Sequence, residues 1–289
     1  MAPQLKYYGL IDSNGRPNFK VVGLKKEVFS DLFHFFITKS WFQFISILFL
    51  IYITANLIFG CFYFLLGGID HAEKFLDYFF FSIQTMGTIG YGYMYPNTDN
   101  IITNFVVSVE TYVGILFTAF VTGLFYSKFS LPTSNVMYTK KMVVNLDNDV
   151  LKLKFKISNK RNSNIINADL KVSMLKLVIN PDGTRLKKIF DMKLLRHEIP
   201  TFVLTFTAEH VIDEFSPFYG ETHQSLLEKE ALVSIIITGV DEVTSQTIHS
   251  KYYYAFDDIM WNAKFADVIF KDEFGQSYLD YRNFDKIIQ

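Results

Sequence analysis

Five consecutive residues, Thr88-Ile89-Gly90-Tyr91-Gly92, carry the most specific chemistry in this chain. Their types suit the coordination of a bare monovalent cation. Such an ion must shed its water, and backbone carbonyls with a threonine hydroxyl replace the hydration oxygens. Turning successive carbonyls toward one axis requires backbone angles that glycine reaches at low cost, which accounts for Gly90 and Gly92. The predicted ligands of such an ion are the hydroxyl and carbonyl of Thr88 and the carbonyls of Ile89, Gly90 and Tyr91. The Tyr91 ring is expected to point away from the axis and brace the segment against surrounding helices.

Such a segment has to be held at a defined depth, and the rest of the sequence supplies the means. The chain has 289 residues, half of them hydrophobic and 31 of them Phe, yet its mean hydropathy is only +0.18. The apolar residues must therefore be concentrated. Two stretches are long enough to span a bilayer, Trp41 to Leu66 and Ile101 to Ser127, and only Glu110 carries a charge within them. Residues 1–26 are polar with no apolar core, so no cleavable signal peptide is expected. Net charge is -1, which gives no reason to expect a nucleic-acid partner, and the single Cys61 cannot form an intrachain disulfide.

Orientation follows from the flanking charges. Lys20, Lys25, Lys26 and Lys39 precede the first span, and Lys128, Lys140 and Lys141 follow the second. The loop between the spans carries Asp70, Glu73, Asp77 and Asp99 against Lys74 alone. Positive residues stay inside, so both termini are expected in the cytoplasm and the loop outside. Within that loop Lys74 to Met86 is about three helical turns, too short to cross. Irregular backbone at membrane depth is tolerated only where protein buries it or water lines it. The stretch therefore reads as a half-membrane pore helix, with residues 88–92 returning from its inner end and the Phe79-Phe80-Phe81 run as its outer face. Its carboxyl end is partly negative and favours a cation at mid-membrane. Asp70, Glu73 and Asp77 suit either a cation-enriching mouth or simple helix caps. One chain encircles only part of an ion. A four-fold ring closes such contacts without a free edge, so a homotetramer is expected, its second span lining the pore and its first facing lipid.

Several further stretches carry a family resemblance. The context FFFSIQTMGTIGYGYMYP resembles a potassium-channel pore signature, and TGLFYSKFSLPTSNVMYT resembles the inner helix and cytoplasmic exit of inward-rectifier potassium channels of the prokaryotic type. SPFYGET (Ser216 to Thr222) and the stretch around Asp258-Ile259-Met260-Trp261 are similar to cytoplasmic signatures of the same family. The resemblance covers roughly residues 15 to 289. It implies residues 1–40 as a cytoplasmic N-terminus with a slide helix, residues 41–130 as a transmembrane pore domain, and residues 131–289 as a cytoplasmic β-sandwich. The fold class is thus an all-α membrane pore module, with two transmembrane helices plus a pore helix, followed by an all-β immunoglobulin-like sandwich.

The β half is also visible in the residues. Leu151, Leu153, Phe155 and Ile157 alternate with Lys152, Lys154 and Lys156, a period of two with one face buried. Further strands are predicted at Leu170–Ile179, followed by the Asn180-Pro181-Asp182-Gly183 turn, and at 202–206, 232–238, 247–256 and 267–270. The six histidines are scattered and read as surface or interface positions. Near the first span, Glu27 to Thr38 places Val28, Leu32, Phe35 and Phe36 on one helical face. That face suits either an interfacial helix with Lys25 and Lys26 near anionic headgroups, or packing on the protein.

The resemblance also implies roles for single residues. Thr88, Ile89, Gly90, Tyr91 and Gly92 correspond to the family's ion-selectivity filter, and Glu110 lies behind it, where an acid at membrane depth braces the filter backbone or a neighbour's pore helix and makes the filter proton-sensitive; a partly wet outer position is the alternative. Thr118 occupies the cavity position where strong rectifiers carry an acid that binds magnesium or polyamines, so only weak voltage-dependent block by these cations is expected. Gly123 is either a bend or a close-packing site, and Tyr126 either a cytoplasmic gate or an interfacial aromatic. Phe117 and Thr122 are cavity candidates. Ser245, Gln246, Thr247 and Ile248 form a second narrow point in an apical cytoplasmic loop, with Ser245 in place of the usual glycine. Asp213, Glu214, Asp241 and Glu242 are candidates for concentrating cations in the vestibule. Lys128 is the only basic residue between the second span and Pro132, so a specific phosphoinositide pocket is not expected. The expected protein is a potassium channel of a bacterial inner membrane, with potassium as permeant ion, membrane lipids as partners, no organic cofactor and no enzymatic step. A non-conducting membrane sensor and a poorly selective cation channel are the rival readings.

Overall fold

A computed structural model describes Gly23 and residues 31–288. The N-terminal lysines, Glu27 and Val28 of the slide-helix reading lie outside the described residues. Two compact units are present, one ending at Leu131 and one beginning at Pro132.

The first unit holds four helices: α1 (Leu32–Thr38), α2 (Trp41–Leu66), α3 (Phe75–Met86) and α4 (Ile101–Phe129). Of these, α2 and α4 are long and apolar enough to cross a membrane. Local chemistry sets their ends. Ser40 and Gln43 cap α2 reciprocally, each side chain accepting from the other's backbone N–H at 3.3 Å. Gly67 ends it at φ 64. Asp77 accepts from the backbone N–H groups of Glu73 and Lys74 and so starts α3. That is the capping reading of this acid. Asn100 caps α4 by accepting from Thr103 N–H at 3.1 Å. A short ladder of β1 (Ile69–Asp70) with β2 (Tyr95–Pro96) ties the two ends of the loop together.

The Phe79-Phe80-Phe81 run does not form one outer face. Successive helical residues are about 100° apart, so Phe81 is buried edge-on to Tyr63, the Phe79 backbone lies against Gly60, and only Phe80 is exposed. In α1, Phe36 and Ile37 are buried while Leu32 and Phe33 are exposed, so the helix packs on the unit by one side only.

The second unit is built from β3 (Val136–Tyr138), β4 (Met142–Asp147), β5 (Val150–Asn159), β6 (Ile165–Ile179), β7 (Arg185–Met192), β8 (Glu198–Phe202) and β9 (Thr205–Val211). It continues with α5 (His223–Glu228), β10 (Leu232–Asp241), β11 (Thr247–Ala255), β12 (Ile259–Trp261), β13 (Lys264–Phe265), β14 (Ile269–Lys271), β15 (Ser277–Leu279) and β16 (Ile287–Ile288). One five-stranded sheet runs β11-β10-β6-β7 with β8 also on β6, and the other runs β12-β4-β5-β3 with β9 also on β5. Residues of both sheets, among them Leu153, Phe155, Ile157, Val172, Val233 and Tyr254, form one hydrophobic core. The 180–183 turn joins β6 to β7, with Gly183 at φ 82.

Three strand-level expectations change. Residues 202–206 are not one strand: β8 ends at Phe202 in one sheet, β9 starts at Thr205 in the other, and the chain crosses between them. The 267–270 strand is Ile269–Lys271. Lys156 is not on a solvated face. It is buried, donates to Ala266 O at 2.6 Å and lies over the Phe265 ring, and burial holds its ammonium below the usual lysine range.

Candidate functional site

The 88–92 segment leaves the carboxyl end of α3 through backbone hydrogen bonds from Gly87, Thr88 and Ile89 to carbonyls of the last helical turn. Thr88, Gly90 and Gly92 have φ of 52°, 60° and 82°, while Ile89 and Tyr91 stay at negative φ. Alternation between left- and right-handed angles turns successive carbonyls toward the same side, instead of alternately as in a strand. Added Cβ atoms at Gly90 and Gly92 would meet nothing of their own chain within 4 Å, so within one chain it is angle, not space, that selects glycine there. Thr88 takes the same angle without being glycine, a strained position of the kind found at functional sites. Tyr91 is 75% exposed and Ile89 49%. The Tyr91 ring is therefore not braced by helices of its own chain.

Behind this segment lies a fully buried polar cluster contributed by three helices. Glu110 of α4 accepts from Ser82 Oγ of α3 through one carboxylate oxygen and from Tyr63 OH of α2 through the other, the latter at 2.5 Å. Ser82 Oγ also lies 3.0 Å from Asn56 Oδ1, and Asn56 Nδ2 donates to Tyr52 O at 2.8 Å. Glu110 thus engages α3 and α2 of its own chain, not filter backbone, and it is not partly wet. Two glycines let the helices approach. A Cβ at Gly114 would sit 2.5 Å from Met86 O, and one at Gly60 would sit 3.1 Å from Phe79 Cα. Asn56, Gly60 and Tyr63 share a helix face at i, i+4, i+7, a polar and small-residue signal legible in the apolar span.

Along α4, Glu110, Gly114, Leu124 and Lys128 face the unit's interior. Helical phase puts Ile115, Ala119, Thr122 and Tyr126 on the opposite side, with Thr118 flanking them, and all five are exposed. Thr118 and Thr122 donate their hydroxyls to the carbonyls of Gly114 and Thr118. Phe117 is not on this face: its ring packs 5.7 Å from Tyr52. Gly123 is exposed and open, so no packing within the chain requires it, and its carbonyl accepts from Ser127 Oγ.

In the β unit the hairpin loop between β10 and β11 holds Ser245 at φ 55 and Gln246, while Thr247 and Ile248 already belong to β11. The left-handed angle explains why a glycine suits position 245. Asp241 is not a vestibule acid. It is buried, accepts from Val243 N–H and Thr244 N–H and pairs with Arg161, and the backbone bond from Thr244 above all holds its carboxyl below the usual range. Glu242 is exposed and accepts from Asn164 N–H, and Asp213 and Glu214 are exposed.

The SPFYGET stretch is a structural pin. Ser216 Oγ lies 2.7 Å from Nε2 of His210, a buried histidine whose Nδ1 faces Lys193 O at 2.7 Å, so His210 is not a surface position. The carbonyl can only accept, which makes Nδ1 the donor and Nε2 the acceptor of the neutral ring. Burial holds the imidazole below its ordinary range. Glu221 is buried against Lys176, Lys229 and Ser225. Burial alone would raise its pKa, but hydrogen bonds from Lys176, Lys229 and Ser225 outweigh it and bring the value to about 2. Among the described residues no cluster of His, Cys, Asp and Glu could hold a metal.

Comparison with known proteins converges on one family. Residues 67–132 match the inward rectifier potassium channel transmembrane domain, and residues 136–289 match the inward rectifier potassium channel C-terminal domain. The chain is 32% identical over 293 residues to inward rectifier potassium channel Kirbac3.1 of Paramagnetospirillum magnetotacticum, covering 100% of this chain and 99% of that protein. It is 27% identical over 311 residues to the human G protein-activated inward rectifier potassium channel 1, covering 98% of this chain but 62% of that longer protein. It is 26% identical to the bovine ATP-sensitive inward rectifier potassium channel 12, covering 96% of this chain and 70% of that one.

Proposed function

This chain belongs to the inward-rectifier potassium channel family, an integral membrane family of ion channels and not of enzymes, and from that premise we propose that it forms a homotetrameric, potassium-selective pore with weak rectification. The observation that carries the reading is the alternation of left-handed angles at Thr88, Gly90 and Gly92 directly after α3. Carbonyls of Thr88, Ile89, Gly90 and Tyr91 replace the water of a passing potassium ion, and the partly negative end of α3 favours the ion in the cavity below. Ile89 and Tyr91 are exposed on one chain, which supports a ring of four copies as the complete filter. Glu110 braces α3, and through it the filter, from within each chain.

In this reading the Thr118, Thr122 and Tyr126 face of α4 lines the conduction path. Thr118 is neutral, so magnesium and polyamines block weakly, and voltage dependence arises from block: the two spanning helices carry only Glu110 and Lys128 as charges. Tyr126 forms the cytoplasmic gate, and Gly123, with its carbonyl tied by Ser127, is the bend above it. Anionic lipid and the cytoplasmic part, read as an immunoglobulin-like sandwich with a 245–248 constriction, act on the gate through the slide helix. Both termini face the cytoplasm of a bacterial inner membrane.

The test is flux of potassium or rubidium into proteoliposomes of the full chain. Barium-sensitive uptake, with potassium favoured over sodium, is expected. Absence of such uptake under every lipid composition tried would sink the reading, and equal sodium and potassium permeability would replace it with an unselective pore. Thr118→Asp should strengthen magnesium and polyamine block; an unchanged current–voltage curve removes Thr118 from the cavity.

A further inference from the structure

The sequence offers Lys128 only as a positive charge flanking the second span, and a lysine near the inner face is ordinarily available to anionic headgroups. In the folded unit the side chain turns inward and the residue is 8% exposed. Its Nζ donates to the carbonyls of Ile37 at 2.9 Å and Lys39 at 2.7 Å. It also lies 5.2 Å from the ring centroids of both Trp41 and Phe44. These carbonyls belong to the end of α1, where a helix leaves acceptors unpaired and presents its negative pole. An ammonium has three donors. Two are engaged by backbone and the remaining surface is covered by aromatic rings.

The surroundings tie the same elements together. Trp41 packs 4.7 Å from Phe129 and Phe44 packs 5.1 Å from Phe125, while Phe36 meets both Phe44 and Phe120. The corner where α1 turns into α2 and the carboxyl end of α4 are therefore one packed body with a cation at its centre. A lipid phosphate would find only the one donor that the backbone carbonyls leave, and would have to part the ammonium from the Trp41 and Phe44 rings to reach it.

We propose that Lys128 is an internal latch that fastens the α1–α2 corner to the gate end of α4, and that it is not a ligand for a lipid headgroup phosphate. The functional half of this inference rests on the proposed gate at Tyr126, two residues away. Displacement of α1 then moves α4 directly, and anionic lipid acts on the gate through other groups.

The experiment uses the full-length protein reconstituted in phosphatidylcholine vesicles, with and without phosphatidylglycerol. In Lys128→Met, amide hydrogen exchange over residues 32–40 should rise about tenfold, and Lys128→Arg should restore most of the protection. Rubidium flux in Lys128→Met should change by the same factor in both vesicle types, leaving the ratio between them within about twofold of the parent. Unchanged exchange overturns the latch, and a flux ratio that collapses toward one makes Lys128 a lipid ligand. If Lys128→Met does not assemble, Lys128→Gln should give an intermediate rise in exchange, and no rise overturns the latch equally. The exchange result decides the latch even where no variant conducts, so its failure and that of the channel reading are distinguishable.

Discussion

Among the described residues each of the two units buries one glutamate, and they satisfy it in opposite ways. Glu110, between three helices, is held by the hydroxyls of Ser82 and Tyr63. Glu221, in the loop that enters α5, is held by the ammonium groups of Lys176 and Lys229 with Ser225. Hydroxyls donate and accept, so they can reverse when the partner changes; ammonium groups only donate and keep their charge. In apolar surroundings a permanent counter-charge is a liability once unpaired. The helical unit therefore meets Glu110 with partners that tolerate a neutral acceptor, and the β-rich unit meets Glu221 with partners that demand an anion.

The contrast can be broken most severely at Glu110. Glu110→Leu strands two buried hydroxyls behind the filter and should lower rubidium flux about 100-fold or more; flux within twofold of the parent would remove the acid from filter support. Next is Glu221→Gln, which leaves two ammonium groups facing a neutral amide. With Lys229 partly exposed, a cost of about 3 kcal/mol is expected, read as a drop of roughly 6–12 °C in the unfolding midpoint of the full chain. Glu110→Gln should be milder, within about tenfold of parent flux, because Ser82 and Tyr63 can turn to suit an amide. Were Glu110→Gln as damaging as Glu110→Leu, the anion itself would be required and the comparison would fail.

The smallest effects are on pH. Glu221 has its pKa lowered from 4.5 to about 2, so its contribution is complete above pH 4.5 and is lost as pH falls toward 2. His210 is a base whose folded pKa lies below its ordinary 6.5. The unfolded chain binds the proton first, so stability declines as pH drops below about 6.5 and is unaffected above it. Thermal midpoints measured from pH 7.5 to 5.5 should show that slope, and His210→Gln should flatten it.

Much of this was legible in the residues. The alternation from Leu151 to Ile157, the turn at 180–183 and the two apolar stretches follow from near-neighbour patterns, and the structure has β5, the β6–β7 hairpin, α2 and α4 there. Errors came where pattern and packing part. Lys156 obeys the period of two and yet is buried, because β13 covers that end of β5. Residues 202–206 read as one apolar strand because the break that moves the chain from sheet to sheet has no turn residue of its own. The scattered histidines gave no hint that His210 meets Ser216, since six residues of spacing say nothing about a pin between a strand and a loop.

The sequence by itself determined which five residues have the types that suit a stripped cation, how many segments are long and apolar enough to cross a membrane and which half is β-rich. These are consequences of residue type and short-range periodicity, which act along the chain. Only the tertiary structure decided that Thr88 shares the left-handed angle of Gly90 and Gly92, that Glu110 reaches Ser82 and Tyr63, and that Lys128 faces inward to the end of α1. Those outcomes depend on which helix faces meet, and Gly60 and Gly114 help set that by letting their helices close on Phe79 and Met86, which are distant in the chain.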